Sequence, residues 1–279
     1  MSRRAVVLSR AVLAGSALFS AGLFAAHMAW GSAQALAQGA DSLLDCAGAI
    51  ALAYAVRVAR QPRDAGHPFG HTRAEPLGAL ATAMLASLLA FEVLSTALSA
   101  LWSGASVDPE WGLLAAFLGK VAFKGVVFSL AVGREGPALE ALVVDARNDM
   151  LLGSVAVLSF GAARLGWVGA DAWLSLPVAV YIGYSGFSLA RENVDRLMGR
   201  APEPERLEEL TAVAGALPGV LAVSQLRAQF LGSELSVEVD IVVDSALTVG
   251  QAHDIGEAVQ ERVEAEPDVV HCAVHIDPT

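Results

Sequence analysis

The chain has 279 residues, 55% of them hydrophobic, with a mean hydropathy of +0.54. Ordinary soluble proteins are roughly 45–50% apolar, so a single water-soluble domain is excluded. A formal net charge of −11 excludes nucleic acid as the partner, because its phosphates call for a basic surface.

The apolar excess is uneven. Before about Arg200 the chain is a succession of apolar runs of about 20 residues, the length that crosses a bilayer core. After it, charge and alternation return. A transmembrane domain over residues 1–200 and a soluble domain over 201–279 are therefore expected. The predicted spans, in order, are about Ala5–Trp30, Ala35–Arg57, Leu77–Leu101, Trp111–Val132, Ala138–Arg164 and Asp171–Leu189. Ser103-Gly104 ends the third, and Gly133 and Pro137 end the fourth. All are rich in Ala, Gly and Ser, which lets helices in lipid approach closely. Arg3, Arg4 and Arg10 ahead of the first run give it the look of a signal peptide. Its length, and the recurrence of the same Ala-Gly texture downstream, favour a retained first span.

The loops set the orientation. Arg3, Arg4 and Arg10 precede span one, and Arg57, Arg60, Arg63 and Arg73 lie between spans two and three. Arg134 lies between spans four and five, and Arg191, Arg196 and Arg200 follow span six. The connections after spans one and three carry no Lys or Arg, and the one after span five has only Arg164 at its start. Basic loops stay in the cytoplasm, which places both termini there. Trp102, Trp111, Trp167 and Trp173 fall on the opposite side and read as interfacial anchors.

Beyond Pro202 the pattern changes. Glu203–Leu217 is amphipathic and charged, hence helical, and Pro218-Gly219 stops it. Val220–Phe230 and Glu234–Val243 read as strands around a Gly232-Ser233 turn; in the second, Leu235, Val237, Val239 and Ile241 alternate with polar residues. Thr248–Glu264 is a helix and Val269–Ile276 a last strand. The order αββαβ predicts a small α+β domain with helices on one face of a sheet. The fold class is thus an α-helical membrane protein of six transmembrane helices with a C-terminal α+β domain.

The chemistry centres on carboxylates placed in lipid. Asp41 and Asp45 are four apart in span two, so they share one helix face. Asp145 and Asp149 repeat the spacing in span five. A carboxylate inside a membrane is costly and marks a functional site by default. Two such helices side by side form an oxygen-donor site for a hard divalent cation. Four ionised carboxylates at one point repel, so the site is expected to hold protons that an arriving cation displaces, a physical basis for metal–proton exchange. Lys120 and Lys124, four apart inside span four, need partners; Glu92 or the acidic site are the candidates, with snorkelling of Lys124 to the cytoplasm the plainer reading. Arg147 and Asn148 are candidates to hydrogen-bond the second acidic pair.

Two further sets stand outside the spans. The loop from Gln61 to Glu75 holds Asp64, His67 and His71, and imidazole with carboxylate suits a transition metal. Ordinary hydrogen-bonded loop histidines remain the alternative. In the tail, His271, His275 and Asp277 share one strand face by their period of two, with Asp240 on the second strand and His253 on the last helix. Surface histidines on a small acidic domain are the alternative there. Cys46 and Cys272 lie in different domains without a CxxC spacing and read as small buried residues; Cys46, beside Asp45, is also a candidate soft ligand. No nucleophile–base pair, phosphate loop or HExxH occurs, which argues against an enzyme.

On these residues the chain resembles the cation diffusion facilitator family of divalent-metal/proton antiporters. The resemblance rests on the DSLLD pair of span two, the loop with its HPFGH core, the Asn148-Asp149 end of the span-five pair, and the αββαβ tail ending His275-Ile-Asp277-Pro. It implies a homodimer in the inner membrane, with both termini inside, working by alternating access. It implies a transport site at Asp41, Asp45, Asp145 and Asp149, a loop site at Asp64, His67 and His71, and a metallochaperone-like tail that dimerises and senses metal. The family's tail ligands fall on Asp240, His253, His275 and Asp277, with His271 as a neighbour. The sequence departs from the zinc-transporting pattern at Asp145, where those members carry His. All-carboxylate pairs are similar to the manganese-type branch, and oxygen-only donors suit Mn²⁺. A family His in the first tail strand is Ser224 here, and another in the second is Asp240, which weakens the tail site or reduces it to one ion. The expected function is proton-driven Mn²⁺ efflux. Zn²⁺, Fe²⁺ or Co²⁺ efflux by the same route is the nearest alternative, and a non-transporting metal-sensing scaffold is the alternative of another class.

Overall fold

The apolar runs fold as long helices. The computed structural model describes residues 3–30, 33–103, 111–134, 136–167 and 169–279. Its first part is built of α1 (Arg3–Trp30), α2 (Ala33–Ala59), α3 (Ala74–Ser103), α4 (Trp111–Ala131), α5 (Pro137–Arg164) and α6 (Ala170–Leu197). The chain divides into two compact units, residues 1–193 and 194–279. Within the first, α1, α2, α3, α4 and α6 are long and apolar enough to cross a membrane. α5 has 28 residues, which at about 1.5 Å each is also a membrane-scale length. Glu140, Asp145, Arg147 and Asp149 interrupt its apolar run.

Small residues set the helix spacing. The core of this unit is largely alanine, including Ala49, Ala79, Ala83, Ala131, Ala138, Ala141 and Ala146, with Leu52 and Val56 among them. A Cβ placed on Gly153 of α5 would overlap the Val121 Cγ2 methyl of α4, so glycine here lets that methyl pack against the α5 backbone. Outward-facing Met84, Leu88, Phe91 and Leu98 leave an exposed apolar stripe on α3, as a lipid-facing surface requires. Trp102, Trp167 and Trp173 are exposed, and Gly104 and the Trp111 side chain lie outside the described residues. The start of α5 is tied to α3: the Ala138 N–H donates to Glu75 Oε1 at 3.2 Å, supplying an acceptor for one of the amides that a first helical turn leaves over.

The second unit contains α7 (Pro204–Gly215), β1 (Ala222–Leu231), β2 (Glu234–Val243), α8 (Val249–Glu264) and β3 (Val269–Pro278). β1 and β2 pair antiparallel through Gly232, whose φ of 75° suits the tight turn. β3 joins β2 in parallel, which requires α8 as the crossover. Leu235, Val237, Val239 and Ile241 are buried against Leu210, Ala214, Val259 and Val263, so α7 and α8 cover one sheet face. Thr248 starts α8 with a reciprocal capping box to Gln251. The αββαβ order expected from the pattern is the order observed.

Candidate metal centre

Three carboxylates meet inside the helical unit. Asp41, Asp45 and Asp149 each present an oxygen within 4.8 Å of the others, the spacing at which one cation can be shared. The i, i+4 rows on α2 and α5 bring them together. Asp145 stands one turn from Asp149 but outside that trio, and its Oδ2 accepts a hydrogen bond from Lys124 Nζ at 2.7 Å. Asp149 is 3% exposed and Asp45 has a side-chain exposure of 8%, so the centre is largely shielded from solvent.

The lysines of α4 complete it. Lys120 Nζ lies 2.9 Å from Asp41 Oδ2, 3.0 Å from Asp45 Oδ2 and 3.3 Å from Asp149 Oδ1. Lys124 Nζ, fully buried, pairs with Asp145 and Asp149 and stands 3.7 Å from Asp45 Oδ2. Of the candidate partners named from the sequence, the acidic site is the one used; Glu92 is exposed and Lys124 does not snorkel. The same i, i+4 spacing on a third helix was the signal in the sequence. Formally, four carboxylates against two ammoniums leave two negative charges, the complement of one divalent cation.

Arg147 and Asn148 do not serve the carboxylates. The Ser185 hydroxyl of α6 donates to Asn148 Oδ1 at 3.1 Å, and the Arg147 guanidinium stacks 5.2 Å from the centre of the Tyr181 ring. Both lie on the α6 side of α5, while Asp145 and Asp149 face α4: Arg147 is two residues from each aspartate and Asn148 one from Asp149, and residues one or two apart on a helix do not share a face.

A second group lies in the loop between α2 and α3, where Asp64, His67 and His71 offer ligand atoms within 4.8 Å of one another. Asp64 organises it: the carboxylate accepts the N–H groups of His67 at 2.7 Å and Gly66 at 2.9 Å. The His67 amide in particular holds this carboxyl below its ordinary range. The imidazoles of His67 and His71 approach the same carboxylate at 3.2 and 3.5 Å. Glu75, read in the sequence only as the end of this loop, follows within four residues and accepts the Ala138 N–H at the start of α5.

The tail residues are more dispersed. Asp240 and His275 are register partners on β2 and β3, and His275 Nε2 lies 3.1 Å from Asp277 Oδ1. Ser224 on β1 donates to the Asp240 carbonyl. This is the sheet face turned away from the helices. His253 is on α8, across the sheet, 3.4 Å from Glu257, and His271 lies 3.8 Å from Glu264. Among the described residues no tail trio reaches ligand spacing.

Membrane-length apolar helices, three carboxylates close enough to share a cation and a small α+β domain are the parts expected of a membrane metal-ion transporter. Comparison with known proteins agrees. A model of the cation efflux transmembrane domain matches residues 8–198, and one of the cation efflux protein cytoplasmic domain matches residues 202–279. Similar curated proteins include the cation-efflux pump FieF of Shigella boydii serotype 18 and that of Escherichia coli O127:H6. Each is 29% identical, covering 98% of this chain and 93% of the relative. Solved structures of variant MamM-CTD in cadmium and copper forms are 33% and 32% identical. Each covers 28% of this chain and 99% of the solved one, with TM-scores of 0.27 and 0.26. The chain belongs to the cation efflux, or cation diffusion facilitator, family. It is a multi-pass membrane transporter of divalent cations, not an enzyme.

Proposed function

We propose that this protein exports Mn²⁺ across the inner membrane in exchange for protons. Asp41, Asp45, Asp145 and Asp149 form the transport site, and rocking of the helices exposes it alternately to the two sides. The observation that carries this reading is the donor set: the trio able to share a cation is made of carboxylates alone. Oxygen donors suit Mn²⁺, whereas Zn²⁺ gains from imidazole, which the membrane cluster lacks. The alternatives Zn²⁺, Fe²⁺ and Co²⁺ would use the same path.

In this reading residues 1–200 are the transport domain, α5 is the fifth of six spans, and its acidic charge is offset by the lysines of α4 rather than by lipid. Residues 201–279 form a cytosolic module that dimerises two copies and binds regulatory metal. Asp240, His275 and Asp277 provide its starting set, and His253 and His271 join only on rearrangement or from a second copy. Asp64, His67 and His71 form a separate loop site. Both termini are cytoplasmic, following the basic loops.

Proteoliposomes loaded with a pH gradient test the proposal. Mn²⁺ uptake should follow the gradient and be abolished by Asp45→Ala. Transport by that variant at the wild-type rate would remove the site assignment. Asp145→His should raise Zn²⁺ transport strongly if the all-oxygen set is what selects Mn²⁺, and little if the protein already favours Zn²⁺.

A further inference from the structure

Lys120 is more than a distant counter-charge to the acidic cluster. Its ammonium approaches the same three residues, Asp41, Asp45 and Asp149, that can share a cation, at 2.9, 3.0 and 3.3 Å. A divalent ion bound by those carboxylates would sit about 2.0–2.6 Å from their oxygens. The two positions nearly coincide, and two cations cannot share them. Lys124 differs: it engages Asp145 and Asp149 and stays 3.7 Å from Asp45. It can neutralise the cluster from the side while an ion sits among the trio.

We propose that Lys120 is a tethered competitor of the transported cation: its ammonium and the metal occupy the same three-carboxylate position in alternation, which keeps ion affinity low enough for release. The inference rests on the transport-site reading above. The lysine stem is flexible, so its ammonium can swing out of the trio when a metal ion enters. Whenever Lys120 occupies the trio the site cannot bind metal, so apparent affinity is reduced by the fraction of time it is withdrawn.

Full-length protein in detergent, titrated with Mn²⁺, tests this, with the Asp45-dependent component taken as binding at the site. Lys120→Gln removes the competitor and should tighten that component by about tenfold or more, while lowering both the half-saturating concentration and the maximal rate of transport in proteoliposomes. Lys120→Arg keeps the charge and grips carboxylates through a rigid bidentate fork, so it is the stronger competitor and should weaken binding by about tenfold or more. A lysine serving only to hold the aspartates in place would give the reverse for Lys120→Gln: weaker binding, overturning the proposal. Unchanged affinity in Lys120→Arg would overturn it as well, and that variant keeps the cluster's charge balance where Lys120→Gln does not fold. The two readings fail separately. Wild-type binding that is indifferent to Asp45→Ala refutes the transport site; Asp45-dependent binding that Lys120→Gln does not tighten refutes the competitor.

Discussion

Lys124→Met is the sharpest test of how the acidic cluster is held together. Lys124 is fully buried and joins Asp145 at 2.7 Å, Asp149 still closer and Asp45 at 3.7 Å. Methionine fills much of the same volume without the charge, so the packing loss is small. What remains is a set of carboxylates stripped of one counter-ion. Removing one member of a buried ion pair costs about 3–5 kcal/mol, because the partner is left uncompensated. At roughly 2–4 °C per kcal/mol for a unit of this size, Tm should fall by about 6–20 °C. The assay is thermal unfolding of the purified protein in detergent, followed by tryptophan fluorescence. Asp149→Asn combined with Lys124→Met removes one charge of each sign and should recover a large part of the loss, a coupling that the double-mutant cycle isolates. A Lys124→Met protein melting within about 2 °C of wild type would refute the reasoning, since burial and pairing of the kind described cannot be removed so cheaply.

Four other outcomes follow from the structure. Gly153→Val should drive α4 and α5 apart, because even a Cβ at 153 would overlap the Val121 Cγ2 methyl; overpacking of this kind costs about 1–3 kcal/mol and should abolish transport, read by melting and by liposome uptake. Arg206 binds Glu209, Glu266 and Asp268 at 2.8, 3.1 and 2.5 Å, so Arg206→Ala should loosen α7 from the turn before β3 by about 1 kcal/mol, measured by hydrogen exchange of the full chain. Arg262, and Arg206 after it, hold the Glu266 carboxyl below its ordinary value. The stabilisation is present above the ordinary glutamate range and disappears as pH falls through the lowered value, so acid should loosen wild type more than Arg206→Ala. Cys272 is 1% exposed, and burial followed by the nearby Glu264 charge pushes its thiol up to about 12. Iodoacetamide at pH 8 should leave it unmodified until the protein is unfolded.

Period and composition settled much of this protein. Runs of about 20 apolar residues fix the helices, because a chain in lipid must satisfy its own backbone. Alternation at Leu235, Val237, Val239 and Ile241 fixes the inner face of the tail sheet. The i, i+4 spacing of Asp41 and Asp45, and of Asp145 and Asp149, places each pair on one helix face before any contact is known. Spacing along one helix says nothing about which neighbour that face meets. Only the tertiary structure decided that Lys120 enters among Asp41, Asp45 and Asp149, that Lys124 draws Asp145 aside, and that Asn148 turns to Ser185. It also decided that α8 carries His253 to the sheet face away from Asp240 and His275. These outcomes depend on helix rotation and on close approach at residues such as Gly153, set jointly by many side chains from segments far apart in the chain.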